Sequence, residues 1–352
     1  MPELPEVETV VRTLRPQVDG RIITHMQVLF PKTLQTGEEF LPELVGARIA
    51  AVRRRAKLAM LDLVLPDGSP LIAAFHLKMT GKFFVHPAGT EPLKHTRLIF
   101  DLAEAPADQA TPVPKPIPLE PATGANGRAK PGRSPHEGVW GAARVGKGQN
   151  VSHRGSTNDR PTPAVLAPVP PTGRGAEPHS QPAGRLFFDD TRKFGYCRLM
   201  RPESLLQWDF WTKLGPEPLE TPAAELAVLL RAGNRAIKAA LLDQTVLAGA
   251  GNIYADESLF AAGIAPTARA RDIALGRLTV LAEKLQAVLQ QSIEECGSSI
   301  RDYRDAAGNA GAFQNSFAVY GRAGQPCVRC GKPLQIARVA GRTTVFCPHC
   351  QK

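Results

Sequence analysis

A chain of 352 residues with 43% apolar side chains can bury a sizeable core and points to two or three domains. It holds no apolar run of the length a membrane span needs, and its acidic, proline-rich start does not read as a signal peptide. A formal charge of +10 and a sequence pI near 9.5 favour a polyanionic partner such as nucleic acid, while unpaired cysteines without a secretion signal point to the reducing cytoplasm.

The chain opens Met1-Pro2-Glu3-Leu4-Pro5-Glu6-Val7-Glu8, followed by apolar residues at Val7, Val10, Val11 and Leu14, one face of an amphipathic helix. Pro5 suits the first helical position, and Glu6 and Glu8 favour the positive end of the helix dipole. Methionine before proline is a good substrate for methionine removal, which would expose Pro2 as a secondary amine. An α-amino group titrates at about 7.7–8.0, so part of it is neutral near pH 7 and able to attack an electrophilic carbon. Glu3 is then within reach of the same carbon as general acid or base.

Short strands follow at Arg21–Phe30, Arg48–Val52, Leu58–Leu65, Leu71–Leu77, Gly81–His86, Leu98–Leu102, Leu186–Asp189 and Tyr196–Met200. The turn Pro66-Asp67-Gly68 makes two of them a hairpin, and the regular spacing predicts a β-sandwich over residues 1 to about 205. It is interrupted by residues 105–184, where 15 of 80 residues are proline and 11 glycine. So few apolar side chains cannot offset the entropy of ordering, and the stretch reads as a disordered insertion between adjacent strands.

Beyond Pro202 the pattern turns helical, with helices expected at Ala223–Ala232, Asn234–Leu242, Ile253–Ala262 and Asp272–Cys296. Between the second and third, Gly249-Ala250-Gly251-Asn252 offers close backbone approach and a free helix N-terminus, a ready phosphate site. Asn252 and Lys238 are the side chains expected to reach the same anion.

Near the C-terminus, Cys327-Val328-Arg329-Cys330 and Cys347-Pro348-His349-Cys350 carry the ligand spacing of a tetrahedral zinc site. Leu334–Val339 and Thr343–Phe346 read as two strands joined by Ala340-Gly341-Arg342, so one zinc would clamp a β-hairpin with Arg342 at its tip, suited to phosphate.

Taken together, these stretches resemble the bacterial formamidopyrimidine-DNA glycosylases, which excise oxidised purines such as 8-oxoguanine. The matching pieces are Pro2–Thr9, Arg54–Lys57, His76–Gly81, Lys94-His95, Asp190–Gly195, Leu214–Leu219, Gly251–Ile264, Val319–Arg322 and the cysteine hairpin, in family order. The resemblance implies Pro2, freed of Met1, as the nucleophile at C1′, Glu3 as proton donor, Lys57 as the acid/base group of β-elimination, and Arg342 in δ-elimination. It implies DNA contacts by His95, Arg192 and Asn252. Met79, Arg192 and Phe194 resemble the trio that fills the space left by a flipped base. One departure is Thr191, where relatives commonly carry proline.

The expected fold is therefore α+β: a β-sandwich with a flanking helix (1–104, completed by 185–205), the insertion (105–184), a helical domain with a helix–two-turn–helix (206–318), and a zinc hairpin (319–352). The expected partner is double-stranded DNA carrying oxidised purines, bound by a monomer, with no membrane. Two alternatives are an endonuclease VIII-like glycosylase for oxidised pyrimidines and a non-catalytic DNA-binding zinc protein. Leu4 favours the purine enzyme over the former.

Overall fold

The computed structural model describes residues 1–105 and 183–352. The expectation of a disordered insertion falls on residues 106–182, which lie outside the described residues.

Helix α1 (Leu4–Val18) begins where Glu3 caps it, the Glu3 N–H donating to Glu6 Oε2 at 2.8 Å. Pro5 sits in the first turn, where its missing N–H costs nothing. The stripe Val7, Val10, Val11, Leu14 and Val18 is buried against the sheet, as its spacing requires.

Nine strands follow among the described residues: β1 (Ile22–Val28), β2 (Leu34–Thr36), β3 (Arg48–Arg55), β4 (Leu58–Val64), β5 (Pro70–His76), β6 (Gly81–Pro87), β7 (Thr96–Ala103), β8 (Gly184–Asp190) and β9 (Tyr196–Met200). They form one sheet in the order β2-β9-β5-β4-β3-β1-β7-β8-β6, antiparallel except where β2 meets β9. β1 and β3 share the single pair Ile22–Arg48, so the sheet bends there into two halves. The halves face each other: Phe75 of β5 lies 4.8, 6.2 and 5.4 Å, ring to ring, from Phe83, Phe100 and Phe188 of the other half. β7 and β8, on either side of residues 106–182, pair with Leu102 opposite Gly184.

The second half is helical: α2 (Pro202–Leu205), α3 (Asp209–Thr212), α4 (Ala223–Arg231), α5 (Ile237–Leu242), α6 (Asn252–Ala261) and α7 (Leu275–Glu294). α5 starts later than its apolar pattern predicts. Gly233 takes a left-handed φ of 106°, the residues around it form a bend, and Ala236 bridges to Arg269, so the helix begins only at Ile237. α7 likewise starts at Leu275, because Ala270–Asp272 closes a separate 3-10 turn. Its expected stripe is buried at Leu278, Leu281, Leu285, Leu289 and Ile293. β10 (Gln335–Val339) and β11 (Arg342–Phe346) complete the chain as a hairpin.

Leu4 belongs to the helical core although Val7 belongs to the sheet core. The Leu4 N–H donates to the Gly249 carbonyl at 3.0 Å, and no room remains at Gly249 for a side chain beside Leu4. The chain start is thus held between the two cores.

Candidate active site

Pro2 is buried just ahead of α1, with Met1 half exposed above it. Next to it, Glu3 is almost wholly buried, and its Oε1 accepts the Ile253 N–H at the amino end of α6, at 3.3 Å. Burial pushes the Glu3 carboxyl up to about 7, against the opposing pull of the Lys57 charge. The Gly251 backbone lies against this carboxyl, so that a Cβ there would overlap it. The helix N-terminus expected to be free for phosphate is therefore shared with an internal carboxylate.

Lys57 lies in the turn between β3 and β4, close enough for its charge to act on Glu3. Its Nζ donates to the Ala250 carbonyl at 2.9 Å, and burial lowers its pKa, raising the neutral fraction that can act as a base. Ala56, immediately before it, holds a left-handed φ of 52°. Glu217 fixes that turn: its carboxylate accepts the Ala56 N–H at 2.5 Å and pairs with Arg54 and Arg55 at 2.7 and 2.8 Å. Glu3, next to Pro2, and Lys57 thus converge on the loop Gly249–Gly251 from two separate parts of the sequence.

Arg342 opens β11 and is exposed, just after the two-residue turn Ala340-Gly341, whose φ values of 49° and 72° suit a hairpin of right-handed twist. Its charge also disfavours the Lys57 ammonium, so the guanidinium stands within electrostatic reach of that group.

Lys238 needs correction as an anion contact. It is 0% exposed, ion-pairs with Asp256 Oδ1 at 2.7 Å and donates to Thr344 Oγ1 at 2.7 Å and to the Thr343 carbonyl at 3.2 Å. A buried ammonium needs such partners, and these tie the helical domain to the zinc hairpin. Asn252 Nδ2 donates to the same Thr343 carbonyl at 3.0 Å but stays half-buried.

Across the sheet domain, Met79, Arg192 and Phe194 come together as expected. The Arg192 guanidinium reaches Met79 Sδ at 2.9 Å and lies 5.0 Å from the Phe194 ring centre. Met79 and Phe194 remain 39% and 55% exposed, unusual for large apolar side chains with an arginine between them. His95 stands half-buried in the turn just before β7, and its carbonyl accepts the Asp190 N–H at 2.9 Å.

The four cysteine sulfurs Cys327, Cys330, Cys347 and Cys350 lie within 4.8 Å of one another, with 3.9 Å between Cys327 and Cys350 and 3.5 Å between Cys330 and Cys347. Zinc–sulfur bonds of about 2.3 Å in a tetrahedron set sulfurs about 3.8 Å apart, so the set fits one structural zinc.

Glu6 was missed by sequence reasoning beyond its place in the first turn. Buried, it accepts Tyr254 OH at 2.5 Å and the Ser298 N–H at 2.9 Å besides the Glu3 N–H. Its spacing of three from Glu3 is the signature that could have revealed the cap. Nearby, a cavity of about 790 Å³ is lined by Ser299, Ile300, Phe317, Tyr320 and Arg322.

Three family models match. The formamidopyrimidine-DNA glycosylase N-terminal domain covers residues 1–111, the formamidopyrimidine-DNA glycosylase H2TH domain 214–304, and the zinc finger found in FPG and IleRS 324–352. The chain is 45% identical to a formamidopyrimidine-DNA glycosylase of Nitratidesulfovibrio vulgaris and 35% identical to one of Desulfitobacterium hafniense, all of each chain being covered. Among solved structures, the Lactococcus lactis Fpg bound to DNA containing N7-benzyl-Fapy-dG superposes with a TM-score of 0.71 at 29% identity, both chains fully covered. A MutM complex with carbocyclic 8-oxo-G DNA gives 0.70 at 28%.

Proposed function

Because the chain belongs to the formamidopyrimidine-DNA glycosylase family, we propose that Pro2, once Met1 is removed, is the nucleophile with which this DNA repair enzyme excises oxidised purines and then cuts the strand. The observation that carries this is the convergence of Glu3 and Lys57 beside Pro2 on one glycine-walled loop.

A base inside a duplex hides its C1′, so the nucleotide must first be extruded, at a cost of a few kcal/mol. Met79 and Phe194 fill the gap, and Arg192, His95 and Asn252 hold phosphates whose attraction weakens with salt. The Pro2 nitrogen then bonds to C1′ as the N-glycosidic bond breaks. Glu3, poised near neutrality, supplies the proton that accompanies departure of the base. The sugar ring then opens at C1′–O4′, O4′ taking up a proton as the nitrogen lone pair makes the C1′=N bond, and the resulting iminium acidifies the neighbouring sugar carbon. Neutral Lys57 removes that proton and the 3′ phosphate leaves; Arg342 assists loss of the 5′ phosphate in the second elimination. Zinc, bound by the four cysteines, gives only the fold of the hairpin that carries Arg342.

We place the enzyme in the cytoplasm, on chromosomal DNA, and as a monomer, since every group named comes from one chain. Among the described residues no helix is long and apolar enough to cross a membrane. A Lactococcus lactis Fpg has also been solved with DNA containing an oxidised pyrimidine. The test therefore compares duplexes carrying 8-oxoguanine and an oxidised pyrimidine. Faster excision of 8-oxoguanine supports the purine reading, and excision of the pyrimidine alone overturns it.

A further inference from the structure

Asp190, the last residue of β8, takes no part in the chemistry above, yet it is 1% exposed and its carboxylate is saturated with donors from the loop that follows. Oδ2 accepts the Gly195 N–H at 2.6 Å and Oδ1 accepts the Arg192 N–H at 3.1 Å. Oδ1 also accepts the Thr80 hydroxyl, and Thr80 Oγ1 in turn lies 3.1 Å from the Arg192 N–H. The Asp190 backbone adds two more ties, its N–H to the His95 carbonyl at 2.9 Å and its carbonyl to Arg97 Nε at 2.9 Å.

One carboxylate therefore grips both ends of the segment Arg192–Gly195 and, through Thr80, the residue next to Met79. Gly195 permits the grip, because a Cβ there would stand 2.8 Å from the Phe188 ring and 3.1 Å from Asp190 Oδ2. Lys193, between the two anchored amides, holds a left-handed φ of 61°, a conformation the flanking bonds enforce.

We propose that Asp190 and Thr80 form a latch that positions Met79, Arg192 and Phe194 as one rigid wedge, so that extrusion of the damaged nucleotide from duplex DNA depends on a carboxylate that touches no DNA. The inference rests on the proposed role of those three side chains. A loose wedge would have to be ordered at the moment of insertion, and that ordering entropy would be charged against each extrusion.

The test replaces Asp190 with Asn, which keeps the size but puts an NH₂ against N–H and O–H donors. Single-turnover base excision from an 8-oxoguanine duplex should fall at least about tenfold, while strand cleavage at an abasic site in single-stranded DNA stays within about twofold of the unaltered enzyme. Extrusion itself is read by the fluorescence of 2-aminopurine placed beside the lesion, and its rise should be slowed in parallel. Equal losses on both substrates, or full excision from duplex, would overturn the latch. The pair Thr80→Val and Thr80→Ser guards against a folding defect, since Ser should restore duplex excision and Val should not; equal behaviour of the two also overturns it. Phe194→Ala distinguishes the underlying reading: if it excises from duplex at the normal rate, the wedge itself fails, whatever Asp190 does.

Discussion

The carboxylate of Glu3 sits on the amino end of α6, with Oε1 3.3 Å from the amide of Ile253, a residue 250 positions along the chain. This contact joins the start of the chain to the helical domain, and Gly251 is the residue that makes room for it. Helix dipole and amide favour the anion, but burial outweighs them and lifts the carboxyl to about 7.

Base excision should therefore lose rate as pH rises past about 7, because the proton that Glu3 donates is gone. Strand cleavage at preformed abasic sites should instead gain with pH over the same range, since it needs Lys57 neutral. Glu3→Gln should lower excision and abolish its alkaline limb. Single-turnover pH profiles on the two substrates check this, and an unmoved limb in the Gln variant would contradict it.

The same shift has a consequence for folding. The folded state holds the Glu3 proton more tightly than the unfolded chain, so its contribution is full below the ordinary value of 4.5 and is lost as pH rises through about 7. Stability should decline over that window by on the order of 2–3 kcal/mol, and Glu3→Gln should flatten the decline. Denaturant melts at pH 5 and pH 8 measure the difference.

Gly251→Ala puts a methyl group into the space of the Glu3 carboxyl. Overpacking of this kind costs about 1–3 kcal/mol, and displacement of Glu3 should reduce excision well beyond that loss of stability. Zinc content should stay at one per chain. Excision at the normal rate would show that Glu3 can move freely.

Lys238→Met strips a buried partner from Asp256 and should cost about 3–5 kcal/mol, while Lys238→Met with Asp256→Leu should recover much of it. If Lys238 instead held a phosphate, its loss would lower the salt slope of DNA binding by about 1. We expect the slope to stay unchanged. Melting and salt titration of the single and double variants separate the two roles.

Removal of zinc, by chelator or by Cys347→Ser, should unfold the hairpin, because folding of such small units depends on their metal. Arg342 then loses its place and DNA affinity should drop sharply. Undiminished affinity in metal-free protein would deny the hairpin its role.

Much of this architecture was legible in the sequence where local rules and long-range packing agree. The valine stripe of α1, the strand spacing, the cysteine pairs and the stripe of α7 each specify burial by period or ligand geometry. Lys238 was misread because charge alone does not reveal a partner. Asp256, eighteen residues on, turns it inward, and only the packing of α5 against α6 brings the two together. Glu6, Glu217 and Asp190 were invisible as organising groups for the same reason: each gathers donors from distant segments, and acidic residues in isolation read as solvent-facing. β2 escaped notice as three residues in a parallel pairing with β9, too short to show a period.

The most direct measurement is borohydride trapping on an 8-oxoguanine duplex, followed by mass mapping of the DNA-linked peptide. The expected result is a stable adduct on a peptide that begins at Pro2, with Met1 absent. An adduct on Lys57, or efficient strand cleavage by protein that retains Met1, would contradict the covalent role of the Pro2 nitrogen.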